Sequence, residues 1–332
     1  MKKCIGCGAE LQSIDKTLPG YIDASNIEGK DYCERCFKII NYNYKSSLHL
    51  DNINKYVLDT INKDNKYVLY LIDFLNLNTE TINTFKSIKC PKTLIITKID
   101  IIPKGIKEEN LVNFIREEYN IEDDIALLSS RSNVNTSVIY KILEDNNYKE
   151  SYIVGYTNSG KSTLLNKLKA KNGKGSDITV SLIPNTTANF IEIDLEDIKL
   201  FDSPGFVLNK TLYNDDEYDL IKRINPASSL KPITMQTKDN MILNLEDKLY
   251  FNTDNSNSLT FYISYNLKLD KLFNKDIKNS TTLDIKDNTD IVIKSIGFIN
   301  IKKACKLRVN KEYIDLIELR NSFFRGAQND EN

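Results

Sequence analysis

One run limits this chain more than any other: Gly155-Tyr156-Thr157-Asn158-Ser159-Gly160-Lys161-Ser162. It fits G-x-x-x-x-G-K-[ST], a loop whose glycines let backbone N–H groups turn inward around a β-phosphate. Lys161 offers a positive charge to the β/γ oxygens, and Ser162 a hydroxyl to Mg²⁺. The pattern needs a strand before it and a helix behind it. SYIVG (151–155) supplies the strand and STLLNKLKAK (162–171) the helix, whose N-terminus faces the anion. Gly155, Thr157, Asn158, Ser159, Gly160, Lys161, Ser162 and Thr163 are therefore the expected phosphate-side set.

Downstream, IKLFDSPG carries an apolar strand into Asp202. That carboxylate can reach Mg²⁺ through water, and the Gly205 N–H can sense a γ-phosphate. Between the two motifs lies IPNTTANF. Either Thr186 or Thr187 is expected to close on Mg²⁺ when the γ-phosphate is present, and Thr187 is preferred. Phe206 follows DSPG where many such sites place a water-orienting glutamine. A phenyl ring accepts no hydrogen bond from water in that role, so slow intrinsic hydrolysis is expected.

The motif that selects the base lies upstream. Thr97-Lys98-Ile99-Asp100 ends a strand and fits N/T-K-x-D. The Asp100 carboxylate matches guanine's ring N–H and exocyclic amine. Adenine lacks that donor pair, which disfavours an ATPase. The Lys98 stem can lie over the base plane. A matched bidentate pair discriminates by ~1–3 kcal/mol. Thr97 stands where Asn is more usual. Ser129-Ser130-Arg131, ending the next strand, fits the loop whose backbone N–H meets the guanine carbonyl. Nothing comparable follows Gly205. Base recognition thus precedes phosphate binding, the reverse of the ordinary order. A domain tolerates such a circular permutation because its termini lie close together at the surface.

The wider pattern agrees. Apolar strands at 67–73, 93–100, 125–130 and 151–155 alternate with helix-like stretches at 107–119, 136–145 and 162–171, and a moderately amphipathic helix at 48–65 precedes them. That alternation indicates a mostly parallel, doubly wound α/β sheet. FIEIDL and IKLFDSPG add two strands. Beyond about residue 226 the text changes to period two, in LTFYISYNLKL, TDIVIKSIGFINI and CKLRVN. The polar NTDNSNS (252–258) reads as a loop. The expected organisation is a metal-stapled module over 1–45, the permuted nucleotide-binding domain over 46–225, and a β-rich domain over 226–332. Net charge is −1, so any basic surface is local. No apolar run is long enough to span a bilayer and the start is no signal peptide, so a cytoplasmic location is expected.

Cys4-x2-Cys7 and Cys33-x2-Cys36 form two knuckles whose thiolates can close a tetrahedral Zn²⁺ site. A redox pair is the other reading of C-x-x-C. Cys90 and Cys305 read as inert core residues. His49, the single histidine, has no visible partner in the sequence.

Zinc knuckles followed by TKID, SSR, GYTNSGKS, PNTT and DSPG resemble the YqeH family of circularly permuted bacterial GTPases. CIGCGAEL…YCERCFK, KSIGFINI and DLIELRNSFF are similar to that family too. The resemblance implies GTP hydrolysis, a role in assembly of the small ribosomal subunit, and a β-rich C-terminal domain that binds ribosomal RNA. Asn158 occupies the P-loop position that in related GTPases helps hold K⁺. Locally, IKKACKLRVNK (301–311) contains no acid. In a strand there, Cys305, Leu307 and Val309 face inward while Lys306 and Arg308 project together, which suits phosphate contact. An edge strand protected by lysines is the alternative. For the whole chain, the reading is a slow GTP/GDP switch. The rival is a zinc-dependent RNA-binding protein with a structural, non-catalytic guanine-nucleotide site.

Overall fold

A computed structural model of the chain describes residues 4, 10–14, 20–24, 32–34, 50–102, 106–129, 136–145, 147–171, 180–182, 190–195, 198–213, 217–226, 229–238 and 241–323. Helix α1 (Leu50–Asp64) leads into strand β1 (Tyr67–Asp73), whose residues are all buried. Val68, Tyr70 and Ile72 enter one core, while Tyr67, Leu69 and Leu71 enter another on the opposite face. A strand covered on both faces reads as a continuous apolar run and sits inside a parallel sheet.

The stretch after β1, merely polar by sequence, forms α2 (Thr79–Ser87). Its start is a capping box: Thr81 N–H donates to Asn78 Oδ1 at 3.1 Å, and Asn78 N–H donates to Thr81 Oγ1 at 3.3 Å. Thr replaces the usual Glu or Gln in the box, and the buried positions are only Thr81, Ile82 and Phe85. The signal was therefore thin. Next come β2 (Lys92–Thr97), α3 (Glu108–Tyr119), β3 (Asp124–Leu128), α4 (Thr136–Asp145), β4 (Glu150–Gly155) and α5 (Lys161–Lys171), in the expected alternation. With β5 (Val180–Leu182), β6 (Ile191–Leu195) and β7 (Ile198–Asp202) they build a seven-stranded sheet ordered β3-β2-β1-β4-β7-β6-β5. β3, β2, β1, β4 and β7 pair in parallel, and β6 and β5 run antiparallel at one edge. The C-terminal ends of β2, β4 and β7 thus share one edge, where open α/β sheets bind ligands.

A short helix, α6 (Tyr218–Ile224), leads to the β-rich part. It comprises β8 (Ile233–Thr237), β9 (Met241–Leu245), β10 (Leu249–Thr253), β11 (Asn257–Ile263), β12 (Leu269–Phe273), β13 (Ser280–Ile285), β14 (Thr289–Ile293), β15 (Gly297–Ile301), β16 (Cys305–Asn310) and β17 (Ile317–Asn321). Two five-stranded sheets result, β12-β9-β10-β16-β13 and β17-β14-β15-β11-β8. They share a core in which Leu243, Phe251 and Leu307 of the first meet Phe261, Ile291 and Ile299 of the second. Phe251 and Phe261 pack edge to face at 6.3 Å.

The structure refines three details of the sequence reading. The period-two segment LTFYISYNLKL turns at Ser264–Leu267, where the Leu267 N–H donates to the Ser264 carbonyl at 3.1 Å, and its halves enter different sheets. NTDNSNS is not a loop throughout. Thr253 and Asn257 lie in β10 and β11, and both are buried. Their polar groups are satisfied: Thr253 and Thr237 hydroxyls meet at 2.8 Å, and Asn257 Nδ2 donates to the Lys303 carbonyl at 2.8 Å. A polar residue with a partner can be interior. Finally, β16 is an inner strand between β10 and β13, not a protected edge.

The β-rich part packs against the seven-stranded sheet near the end of β1. Phe298 meets Phe74 edge-on at 6.0 Å, and Val292 and Phe298 belong to the same core as Ile72. Among the described residues no helix is long and apolar enough to cross a membrane.

Candidate nucleotide site

The phosphate loop leaves β4 at Gly155, where a Cβ would lie 2.5 Å from the Leu71 carbonyl oxygen. Only glycine fits there. Asn158 (φ 65°) and Gly160 (φ 87°) take left-handed conformations that curl the loop back. The Ser159 N–H donates to the Tyr156 carbonyl at 3.0 Å, and α5 begins at once. Ser162 and Thr163 are exposed on its first turn. Lys161 Nζ stands 2.8 Å from the Asp202 carboxylate and also donates to the Ser203 carbonyl. The ammonium suited to phosphate oxygens and the carboxylate suited to Mg²⁺ therefore meet at one point. This donor set fits a Mg²⁺-nucleotide.

The DSPG segment is sewn to the loop by two backbone bonds. Thr157 N–H donates to the Phe206 carbonyl, and Phe206 N–H to the Gly155 carbonyl, both at 2.9 Å. Gly205 passes so close that a Cβ would meet Thr157 Cγ2 at 2.9 Å. Phe206 itself is fully buried, its ring against Tyr156 (5.7 Å) and Tyr70 (6.0 Å). It anchors the segment and cannot reach a water at the phosphate. Tyr156, a variable position of the motif, is a second anchor. Its hydroxyl meets Thr84 Oγ1 at 2.8 Å, and burial pushes its pKa up to about 12.

The T-K-x-D segment leaves β2, with β1 between it and β4. Thr97 is buried, and its hydroxyl donates to the Ser159 carbonyl at 2.5 Å, so it ties this segment to the phosphate loop. Thr in place of Asn therefore keeps a structural bond. Lys98 is left-handed (φ 59°), and its Nζ lies 3.7 Å from Asp73 and 3.4 Å from Asn225 Oδ1. Asp73 closes β1 at the same sheet edge; that strand-end position was the available signal, and the sequence reading passed over it. Asp100 Oδ1 accepts from Ser129 Oγ at 2.8 Å. The second motif thereby orients the carboxylate of the first.

Ser130, Thr186, Thr187, Cys7, Cys36 and His49 lie outside the described residues. Cys4 and Cys33 are brought together, both buried, with the Cys33 N–H donating to Cys4 Sγ at 3.1 Å. Among the described residues no group of three or more His, Cys, Asp or Glu side chains could hold a metal. Cys90 and Cys305 are buried, and desolvation raises both thiol pKa values, that of Cys305 to about 11. On β16 Cys305, Leu307 and Val309 point inward, Lys306 is exposed, and Arg308 is partly covered by an ion pair with Asp276. Lys306 lies opposite Asp284 of β13. The acid-free run is thus not acid-free in space.

A family model described as "50S ribosome-binding GTPase" matches residues 150–268. The YqeH protein of Bacillus subtilis is 34% identical over 253 residues, covering 72% of this chain and 69% of that one. The chloroplastic/mitochondrial NO-associated protein 1 of Arabidopsis thaliana is 25% identical over 62% of this chain, but only 44% of its own length is spanned. The crystal structure of YjeQ from Thermotoga maritima gives a TM-score of 0.30 at 22% identity, over 43% of this chain and 48% of that one. With its T-K-x-D strand ahead of its phosphate loop in one mostly parallel sheet, this chain belongs to the YqeH family of circularly permuted GTPases.

Proposed function

We propose that this GTPase is a slow switch that engages the small ribosomal subunit or its precursor through ribosomal RNA, and changes its grip between GTP and GDP. One observation carries the switch: the DSPG segment is bonded to the phosphate loop at one end and continues into the β-rich sheets at the other. Asp100, steadied by Ser129, selects guanine, with Thr97, Lys98 and Ser130 completing the base pocket. The phosphate side is Gly155, Thr157, Asn158, Ser159, Gly160, Lys161, Ser162 and Thr163, with Ser162, Thr187 and Asp202 about Mg²⁺. Buried Phe206 leaves the attacking water without a glutamine, and K⁺ held by Asn158 supplies the missing positive charge.

The small subunit follows from the family resemblance in the motifs, whereas the description of the matched domain names the large one. The β-rich part, with Lys306 and Arg308 outward, is the RNA-facing element of this reading. Cys4 and Cys33, with Cys7 and Cys36, hold structural zinc: the burial of Cys4 and Cys33 and the N–H to Cys4 sulfur bond are what a thiolate ligand needs. Capture of particles from cell extract on the immobilised protein, with GDP or a non-hydrolysable GTP analogue, tests the proposal. Small-subunit RNA retained in one state over the other is the expected result. Retention of large-subunit RNA alone, or equal retention in both states, would overturn it.

A further inference from the structure

The base-reading segment is gripped by a distant stretch of chain. Residues 225–230 follow α6 and lead into the β-rich sheets. Within that stretch Asn225 Oδ1 faces Lys98 Nζ at 3.4 Å. Ser229 Oγ donates to the Asp100 carbonyl at 3.0 Å. The Leu230 N–H donates to the Ile101 carbonyl at 2.7 Å. Three contacts from one short segment thus fall on two residues of the guanine-reading motif and on Ile101, which follows it. Lys98 is steadied on its other side by Asp73, itself buried and held by Leu75 N–H at 3.0 Å and Asn76 Nδ2 at 2.7 Å. Asp100 is therefore fixed twice: its carboxylate by Ser129 and its main chain by Ser229.

This arrangement has a chemical consequence. Both carboxylate oxygens of Asp100 must align at once, one on the guanine ring N–H and one on the exocyclic amine. Loosening the main chain at Asp100 degrades that two-point alignment more than a one-point contact. Hypoxanthine keeps the ring N–H and lacks the amine, so it senses the loss less. We propose that Ser229 and Asn225 are positioning residues for guanine selection, so that the linker into the β-rich sheets must be seated for the base to be read. The inference rests on Asp100 being the base reader. By reciprocity, guanine occupancy then favours the seated linker, a second link between nucleotide and β-rich part, independent of the γ-phosphate.

The test compares equilibrium affinities for GTP and ITP in the full chain, for wild type, Ser229→Ala, Asn225→Ala and Ser229→Thr. Loss of hydrogen bonds of ordinary net worth amounts to roughly three- to tenfold. The expected result is a GTP-to-ITP preference lowered by about that factor in the two alanine variants, with Ser229→Thr, which keeps the hydroxyl, near wild type. A change in overall affinity with the GTP-to-ITP ratio unchanged would mean a merely structural contact and would overturn the inference. A wild type that does not prefer GTP over ITP would instead overturn the assignment of Asp100. Circular dichroism of each variant identifies one that fails to fold, and Asn225→Ala keeps the comparison decisive if Ser229→Ala does so.

Discussion

Asn158 and Phe206 show how single side chains divide the labour at this site. Phe206 holds the DSPG segment in the core, so the charge that hydrolysis requires must come from elsewhere. Asn158 is exposed at the left-handed corner of the phosphate loop, and in the function proposed above it supplies that charge through K⁺. Turnover is expected to be faster in KCl than in NaCl at equal ionic strength, and Asn158→Ala to remove the difference. Equal rates in both salts for the wild type would point to a protein or RNA activator instead. The phosphate-side residues and Asp100 were legible because their motifs name residue types at fixed spacing. Asn225 and Ser229 were not, because they meet Lys98 and Asp100 only through folding across more than a hundred positions of chain. Arg308 was legible as outward but not as paired, since Asp276 reaches it from the connection between β12 and β13.

At the scale of elements, the central parallel strands were plain because burial on both faces leaves an uninterrupted apolar text. α2 was missed because its capping box uses threonine. In the β-rich part strand limits were hidden because a turn at 264–267 lies inside an alternating run and because β10 ends and β11 begins in polar residues. Two contacts between elements can be tested. Arg320 of β17 donates to the Leu77 carbonyl at 3.0 Å and to Tyr119 Oη at 3.2 Å, and lies over the Phe114 and Phe298 rings. Its partner Asp290 is fully buried, at 3.7 Å. Removing one member of such a pair leaves an uncompensated charge, so Arg320→Ala should lose about 3–5 kcal/mol in urea unfolding. A loss below ~1 kcal/mol, the worth of an exposed pair, would show that the β-rich sheets are not bolted there. In the N-terminal module, Cys33→Ser should lower the zinc content of protein purified without added metal while leaving nucleotide affinity largely intact. Wild-type protein free of zinc would remove the metal from the account.

Over the whole molecule, the permuted order gives the proposed switch a short path. Gly205 abuts Thr157, and the residues after it are held at both ends: Asn54 exchanges two hydrogen bonds with Val207 (2.8 and 3.0 Å), and the Asn209 N–H donates to Glu80 at 2.9 Å. Glu80 in turn pairs with Lys294 of the β-rich part at 3.0 Å. In the proposed switch, order imposed at Gly205 by a γ-phosphate would reach Lys294 through these contacts. A coupling of ~1–3 kcal/mol changes partner affinity ~5–150-fold. Gly205→Ala, whose added methyl collides with Thr157, should shrink the difference in particle affinity between GTP-analogue and GDP states without abolishing binding. Replacing Lys306 and Arg308 by Glu should weaken binding in both states alike.

All of this presumes that the segment ahead of the phosphate loop reads the base. Asp100→Asn turns a pair of acceptors into one acceptor and one donor, complementary to xanthine rather than guanine. The decisive measurement is therefore the affinity of the wild type and of Asp100→Asn for GTP and XTP. The account predicts that the wild type prefers GTP and that the variant moves toward XTP by at least ~1–3 kcal/mol, the discrimination of one bidentate pair. An Asp100→Asn protein that folds and keeps the wild-type preference for GTP would contradict it.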